Sequence, residues 1–220
     1  MLLKPLGTNV TGTTNSTNHT LVAEWMRLIV VAISWYNAAG SGPSAALYGG
    51  VAMTAGGDTS QGNDGGVRMW YLLEKDMPAD GVNAVTFTGS ALHAKVSVMS
   101  FSGVKQQAPF DTFTTSGGVW ANFVKDSLVS ERGGALHLFG ATMIQYNNYN
   151  AFSTAIPNSG TVTINQDMSS QDMAYFRYDH SLAKGANDIG VYLTLTDAHV
   201  AYSFGAVFTP ADEGGAIFMY

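Results

Sequence analysis

The side chains able to do chemistry are few and scattered. The five histidines, His19, His93, His137, His180 and His199, fall at no spacing that metal ligands share, and no H-E-x-x-H motif occurs. A metal site needs converging ligands, so these read as structural or surface groups and no metal is expected. Cysteine is absent, which removes thiol catalysis, thiolate ligation and any disulfide framework. The Gly-rich run 56–66 carries Asp58, Asn63 and Asp64, oxygen ligands of the kind Ca²⁺ takes from flexible loops. It lacks the EF-hand spacing and a closing acid, and Gly, Asn and Asp favour turns without any metal. Glycosidase chemistry needs two carboxylates about 5–10 Å apart on facing strands. Glu24, Glu74, Asp76, Asp172 and Asp179 stand mostly at strand ends or in turns, and nothing in their spacing pairs them. There is no G-x-S-x-G elbow. Gly40-Ser41-Gly42 has the composition of a phosphate loop, but no helix follows to present its N-terminus. No catalytic residue and no cofactor is nominated, and the chain does not read as an enzyme.

The remaining candidates are contact residues. Tyr146, Tyr149 and Phe152 share a long loop (146–159) with Asn147, Asn148 and Asn150. Rings beside amides make a sugar-stacking surface or a protein contact; the alternative is that the rings fold back onto the domain. Leu2, Leu3 and Leu6 at one end, and Ile217, Phe218 and Tyr220 in the apolar run 216–220, are candidate assembly contacts. Burying such a run is worth roughly 25 cal/mol per Å², so it packs on its own domain or docks on a neighbour.

The elements that must position these groups are strands. The run 27–36 is continuously apolar and rich in Val and Ile, the signature of a central strand covered on both faces. Gly49-Gly50 between short apolar runs signals a hairpin. Residues 67–73 form a strand with the pair Trp70-Tyr71, and 82–88 alternate with Val85 and Phe87 on one face. Strands follow at 92–101, 119–128, 135–145, 161–165 and 172–180, with a turn at Glu131-Arg132-Gly133-Gly134. Residues 190–196 and 200–208 are expected to pair across Asp197-Ala198. The second half repeats the rhythm of the first, but no repeat is strong enough to indicate a solenoid. No helical period with caps occurs. Ten to twelve short strands predict an all-β fold, a two-sheet antiparallel β-sandwich of jelly-roll type. Residues 1–18 read as an N-terminal arm, 19–210 as the sandwich and 211–220 as a C-terminal tail.

Composition narrows the partners. Charged residues make up 12% of the chain, against roughly 25% in an average soluble domain. The surface must be built from Ser, Thr, Asn, Gly and some apolar side chains, as in a protein that hides part of itself in an assembly. A net charge of −6 with scattered Lys and Arg argues against nucleic acid as a partner. The most apolar window, 26–35, is far shorter than the ~20 residues of a membrane-spanning helix. The first seven residues lack the apolar core of a signal peptide.

Several stretches resemble a sandwich domain found in phage structural proteins and bacterial surface proteins. Residues 27–35 (Arg-Leu-Ile-Val-Val-Ala-Ile-Ser-Trp) look like its first core strand. Tyr48-Gly49-Gly50-Val51-Ala52-Met53-Thr54 is similar to its hairpin, Met69-Trp70-Tyr71-Leu72 to its next strand, and 200–208 to its closing strand. Val85-Thr86-Phe87-Thr88-Gly89-Ser90 and the stretch 98–110, ending in Ser-Gly-Val-x-Gln-x-x-Pro-Phe, resemble its central pair. The resemblance spans about 19–210 and carries over structural positions only. It implies a virion protein made in a bacterial cytoplasm, most like a capsid decoration (cement) protein. Its partners are then the major capsid protein or other virion proteins, and it forms a homo-oligomer, with a trimer favoured. The alternative is a carbohydrate- or host-surface-binding module of a phage appendage or bacterial adhesin.

Overall fold

The structure, a computed structural model, describes residues 4–12, 16–36, 42–60, 65–89, 93–121, 123–144, 151–156, 163–168, 172–179, 183–194 and 199–212. Its first half holds β1 (Lys4–Gly12), β2 (Ser16–Leu21), β3 (Leu28–Tyr36), β4 (Ala45–Tyr48), β5 (Val51–Ala52), β6 (Thr54–Ser60), β7 (Gly66–Leu73), a 3₁₀ turn (Glu74–Asp76), β8 (Gly81–Thr88) and β9 (His93–Ser102). Its second half holds β10 (Phe110–Ala121), β11 (Phe123–Ser130), β12 (Leu136–Ile144), β13 (Ala151–Ile156), β14 (Thr163–Met168), β15 (Asp172–Asp179), β16 (Gly185–Thr194) and β17 (His199–Phe208). The all-β expectation holds. Among the described residues no helix is long and apolar enough to cross a membrane.

The described strands form four antiparallel sheets, where two were expected. A first inner sheet, β1-β9-β3-β7-β6, is backed by a first outer sheet, β2-β8-β4-β5. A second inner sheet, β10-β17-β12-β15-β14, goes with a second outer sheet, β11-β16-β13. The apolar run of β3 explains the stacking. Ile29, Val31, Ile33 and Trp35 pack with Trp70, Leu72 and Val98 against Leu21, Tyr48 and Val85 of the outer sheet. The alternate residues Leu28, Val30 and Ala32 point the other way, to a core shared with Leu138, Phe176, Phe204 and Phe208 of the second inner sheet. A strand buried on both faces reads as a near-continuous apolar run, so its pattern announces double coverage without saying how many layers lie beyond. Rings close the seam between the inner sheets. Phe101 meets Tyr178 edge-on at 5.0 Å and Tyr71 meets Phe110 edge-on at 5.0 Å, a favoured ring geometry.

The two halves repeat one another. Reading β1, β9, β3, β7, β6 beside β10, β17, β12, β15, β14 gives the same order of first, last, third and late strands. The outer sheets match likewise, β2-β8-β4 beside β11-β16-β13. Register agrees as well: Leu28 faces Phe101 in one half and Leu136 faces Phe208 in the other.

Other expectations change. Residues 190–196 and 200–208 do not pair, because the chain changes sheets between them: β16 lies between β11 and β13, and β17 between β10 and β12. β8 and β9 separate in the same way. The run 56–66 is not all loop, since Thr54–Ser60 pairs with β7, and β13 lies inside the expected loop 146–159. β10 covers residues with no strand expected before 119. The segment 1–18 carries β1 and the start of β2, paired with β9 and β8. At the far end Ala211 is buried, and residues 213–220 lie outside the described ones.

Candidate functional site

The largest exposed aromatic among the described residues is Trp25, 75% accessible, in the turn between β2 and β3. Val22 and Val82 nearby are also exposed. The turn beneath the ring is firmly held. Met26 has φ +54°, a conformation uncommon for a non-glycine residue. The Glu74 carboxylate accepts the backbone N–H groups of Met26 and, at 3.3 Å, Arg27. Arg27 donates to Asp80 at 2.5 Å and to the Val22 carbonyl at 3.2 Å. The Gln106 amide donates to the carbonyls of Arg27 (3.1 Å) and Val104 (2.9 Å), while its oxygen accepts Glu74 N–H at 2.9 Å. Lys4 pairs with Glu24 at 2.6 Å. Backbone strain held by surrounding contacts is a feature of contact and binding sites. Sequence reasoning missed Trp25. The available signal was a tryptophan placed between Glu24 and Arg27, outside the apolar periodicity of the strand that follows.

The same contacts explain the run 102–110. Gly103 (φ +78°) and Ala108 (φ +44°) make its bends. Gly103 N–H donates to the Trp25 carbonyl at 3.3 Å and Val104 N–H to the Met26 carbonyl at 3.0 Å. Pro109 accepts Thr209 N–H at 2.8 Å, and Phe110 packs 4.3 Å from the Phe208 ring. The run is the joint between the two halves.

Two sets of polar groups in the interior are ties between layers. His19 of β2 meets Tyr48 Oη at 2.8 Å through Nδ1 and Ser100 Oγ at 3.3 Å through Nε2. Ser100 donates to the Leu6 carbonyl at 2.6 Å. One polarity satisfies the chain: Tyr48 donates to Nδ1, and Nε2–H donates to Ser100. Burial pushes His19 down to about 4 and Tyr48 up to about 12, so both stay neutral near pH 7. Ser100 is 1% exposed and its proton is committed, which suits a pin joining β1, β2, β4 and β9 rather than a nucleophile. Between the second pair of sheets, Ser203 donates to Asp126 at 2.8 Å, and burial raises the Asp126 carboxyl. His137 is fully buried with no hydrogen-bond partner for either ring nitrogen among the described residues. Burial lowers it, against the pull of Asp179 and Asp111.

Among the described side chains the acids weighed for catalysis have other places; that of Asp172, on β15, lies outside the described ones. Glu24 is taken by Lys4, Glu74 by Arg27 and Asp76 by Lys75; Asp179 is buried opposite His137 in register. Asp58 lies on β6 opposite Arg68, while Asn63 and Asp64 fall outside the described residues. Among the described residues no three His, Asp or Glu side chains converge as metal ligands. A cleft of about 320 Å³ opens beside Ser44, Ala55, Gly57, Arg68, Met69 and Trp70. Its Arg68 lies 5.0 Å over the Trp35 ring and donates to the Pro43 carbonyl. Gly42 is closed off by the same ring, since a Cβ there would lie 2.2 Å from Trp35 Cε2; it offers no phosphate cradle.

Of the predicted contact residues, Leu6 is buried in β1 and is not a free docking group. Leu2, Leu3, Tyr146, Tyr149, Ile217, Phe218 and Tyr220 lie outside the described residues. Phe152 sits on β13 opposite Leu193, and its side chain is outside what the structure describes. Fold and site together define an all-β, sandwich-like protein of four sheets, with internal polar ties and one pinned, exposed tryptophan. No protein-family model, no curated protein and no solved structure matches the chain.

Proposed function

We propose that the protein is a virion structural component, a capsid decoration (cement) protein that binds and bridges major capsid subunits. The observation that carries this reading is the strand order, found twice. Lettering the strands of each half B to I in chain order, with β5 and β6 together as F, the inner sheets read B-I-D-G with F at the edge. The outer sheets read C-H-E, extended by F in the first half. We read each half as a jelly roll, an architecture used by viral capsid and lectin domains. Fold alone does not fix function; further support comes from the interior and the composition. The serine and histidine that might have formed a catalytic pair serve as a buried tie, and the chain carries little charge for its size. Stacked sheets buried on both faces suit a stiff block, and many weak contacts between repeated copies sum through multivalency.

The test is co-sedimentation of the pure protein with shells assembled from the major capsid protein of the same genome, with solution mass by light scattering alongside. Saturable binding by a trimer supports the reading. A monomer that stays in the supernatant, yet shows a saturable thermal shift with a glycan panel, replaces it with the carbohydrate-binding reading.

A further inference from the structure

The first two strands are held to the body through one buried ring. Among the described strands β1 pairs with β9 alone and β2 with β8 alone, so each ends its sheet. The β1 ladder is also interrupted between Leu6 and Val10. The strands they lean on keep a second neighbour, β3 for β9 and β4 for β8. Three side-chain bonds cross from β1 and β2 to that body. His19 Nδ1 meets Tyr48 Oη at 2.8 Å, His19 Nε2 meets Ser100 Oγ at 3.3 Å, and Ser100 donates to the Leu6 carbonyl at 2.6 Å. Both His19 and Leu6 are buried.

With the Ser100 proton on Leu6, Nε2 carries the ring hydrogen and Nδ1 accepts from Tyr48. A proton added at Nδ1 would meet the Tyr48 hydroxyl proton. The buried cation so formed needs a counter-charge or water. β1, β2, β3, β4, β8 and β9 hold no Asp or Glu. Their titratable groups are Tyr48 itself, Lys4 on β1, Tyr36 at the far end of β3, and His93 and Lys95 on β9, at positions that alternate with Ser100. In the turns nearby, Glu24 is taken by Lys4, and Glu74 and Asp80 by Arg27. Water is left, and strands paired on one side open most readily to admit it.

We propose that His19 is the catch of a proton-operated latch: in acid β1 and β2 come away together while the strands from β3 onward stay folded. The sign follows from burial. Docked His19 titrates at about 4, and a released one at the ordinary 6.5. Docking is therefore firm above 6.5 and weakens about tenfold per pH unit as pH falls towards 4. Glu24, held below the ordinary carboxylate range by its bond to Lys4, keeps its charge through the upper part of that window. Release turns the closed edges of β9 and β8 into open ones. The inference does not depend on the virion reading.

Hydrogen exchange read by mass spectrometry, from about pH 7 to about pH 4.5 and corrected for the intrinsic rate, tests this. Amides of β1 and β2 should lose protection about tenfold per unit below pH 6.5, while those of β3 and β12 keep theirs. His19→Gln cannot take the proton, so its β1 and β2 protection should not change with pH. Leu6→Ala alters no titratable group; it should lower β1 and β2 protection at every pH and keep the wild-type slope. Loss of protection in β1, β2 and β3 together overturns the proposal, because the whole domain then opens. So does a flat wild-type profile, or a wild-type slope in His19→Gln.

Discussion

Asn83 and Asn187 hold their turns in the same way. Each Nδ2 donates to the carbonyls four and two residues earlier: Asn83 to Ala79 (3.0 Å) and Gly81 (3.1 Å), and Asn187 to Ala183 (3.0 Å) and Gly185 (3.1 Å). Gly81 and Gly185 carry φ of +117° and +116°, backbone open to glycine and strained for other residues. The shared pattern Ala-x-Gly-x-Asn enters β8 in one half and β16 in the other.

The turn bonds predict equal costs, to which Asn83 adds a bond with the Tyr48 side chain. Asn83→Ala and Asn187→Ala should each destabilise by about 1 kcal/mol through the lost bonds. Gly81→Ala and Gly185→Ala should each cost about 1–2 kcal/mol from backbone strain alone, because nothing lies within 4 Å of an added Cβ at either site. Urea denaturation measures all four. A large difference between matched sites would show that the halves are not energetically equivalent.

That repeat was present in the sequence but easy to pass over, because the strands around it share register rather than residue type or size. Ala32 faces Ser97 in the first inner sheet, where Gly140 faces Phe204 in the second. The central strand 28–36 and the Gly49-Gly50 turn, with φ of +56° and +83°, were legible because burial on both faces and positive φ restrict residue choice. β6 read as loop because of Gly56 and Gly57, yet those glycines are packing features. A Cβ would meet Met69 Cε at 2.3 Å at the first and Phe113 Cε1 at 2.1 Å at the second. β10 hid in Thr, Ser and Gly, residues of a half-exposed strand. Trp25 was illegible as a site because its exposure depends on the side-chain clamps from Glu74 and Gln106, distant in sequence.

Acid should weaken the protein in a defined window. Folded His19 titrates near 4 because of burial, below the ordinary 6.5. Between those values the unfolded chain binds a proton that the folded one refuses, so stability falls as pH drops from 6.5 towards 4 and levels off below. His19 should account for about 3 kcal/mol of that loss, with His137, also lowered by burial, adding in the same direction. Melting temperature against pH should fall across this range in the wild type and fall less in His19→Gln. A flat profile in the wild type would remove the buried neutral histidines from the account.

The turn under Trp25 should loosen without Glu74. Glu74→Gln keeps the shape but removes the charge that accepts the Met26 and Arg27 N–H groups and faces Arg27 Nε at 3.5 Å. A charge-assisted bond is worth about 1.5–3 kcal/mol, so a cost of about 2 kcal/mol is expected. Amide exchange at Met26 and Arg27 should accelerate while the β3 amides of Val30 and Val31 change only by the global loss. Uniform acceleration would mean that Glu74 supports the whole sandwich rather than the turn.

The seam between the inner sheets offers the sharpest contrast. A Cβ at Gly140 would lie 2.3 Å from Phe204 Cε1, 2.7 Å from Phe204 Cζ and 3.0 Å from Phe176 Cδ1. Both rings are buried and shared with the facing sheet, so neither can swing into solvent, and overpacking of this kind costs about 1–3 kcal/mol. Gly140→Ala should therefore lower stability by that amount. Combining it with Phe204→Leu, which trims the opposing ring, should cost less than the sum of the two single changes, because residues in contact couple. At Ala108 the reverse holds: it is exposed with φ +44°, and Ala108→Gly should stabilise by up to about 1 kcal/mol by removing the left-handed penalty. Additive behaviour of Gly140→Ala with Phe204→Leu would place the two residues out of contact and break the account of how the Phe204 ring packs over β12.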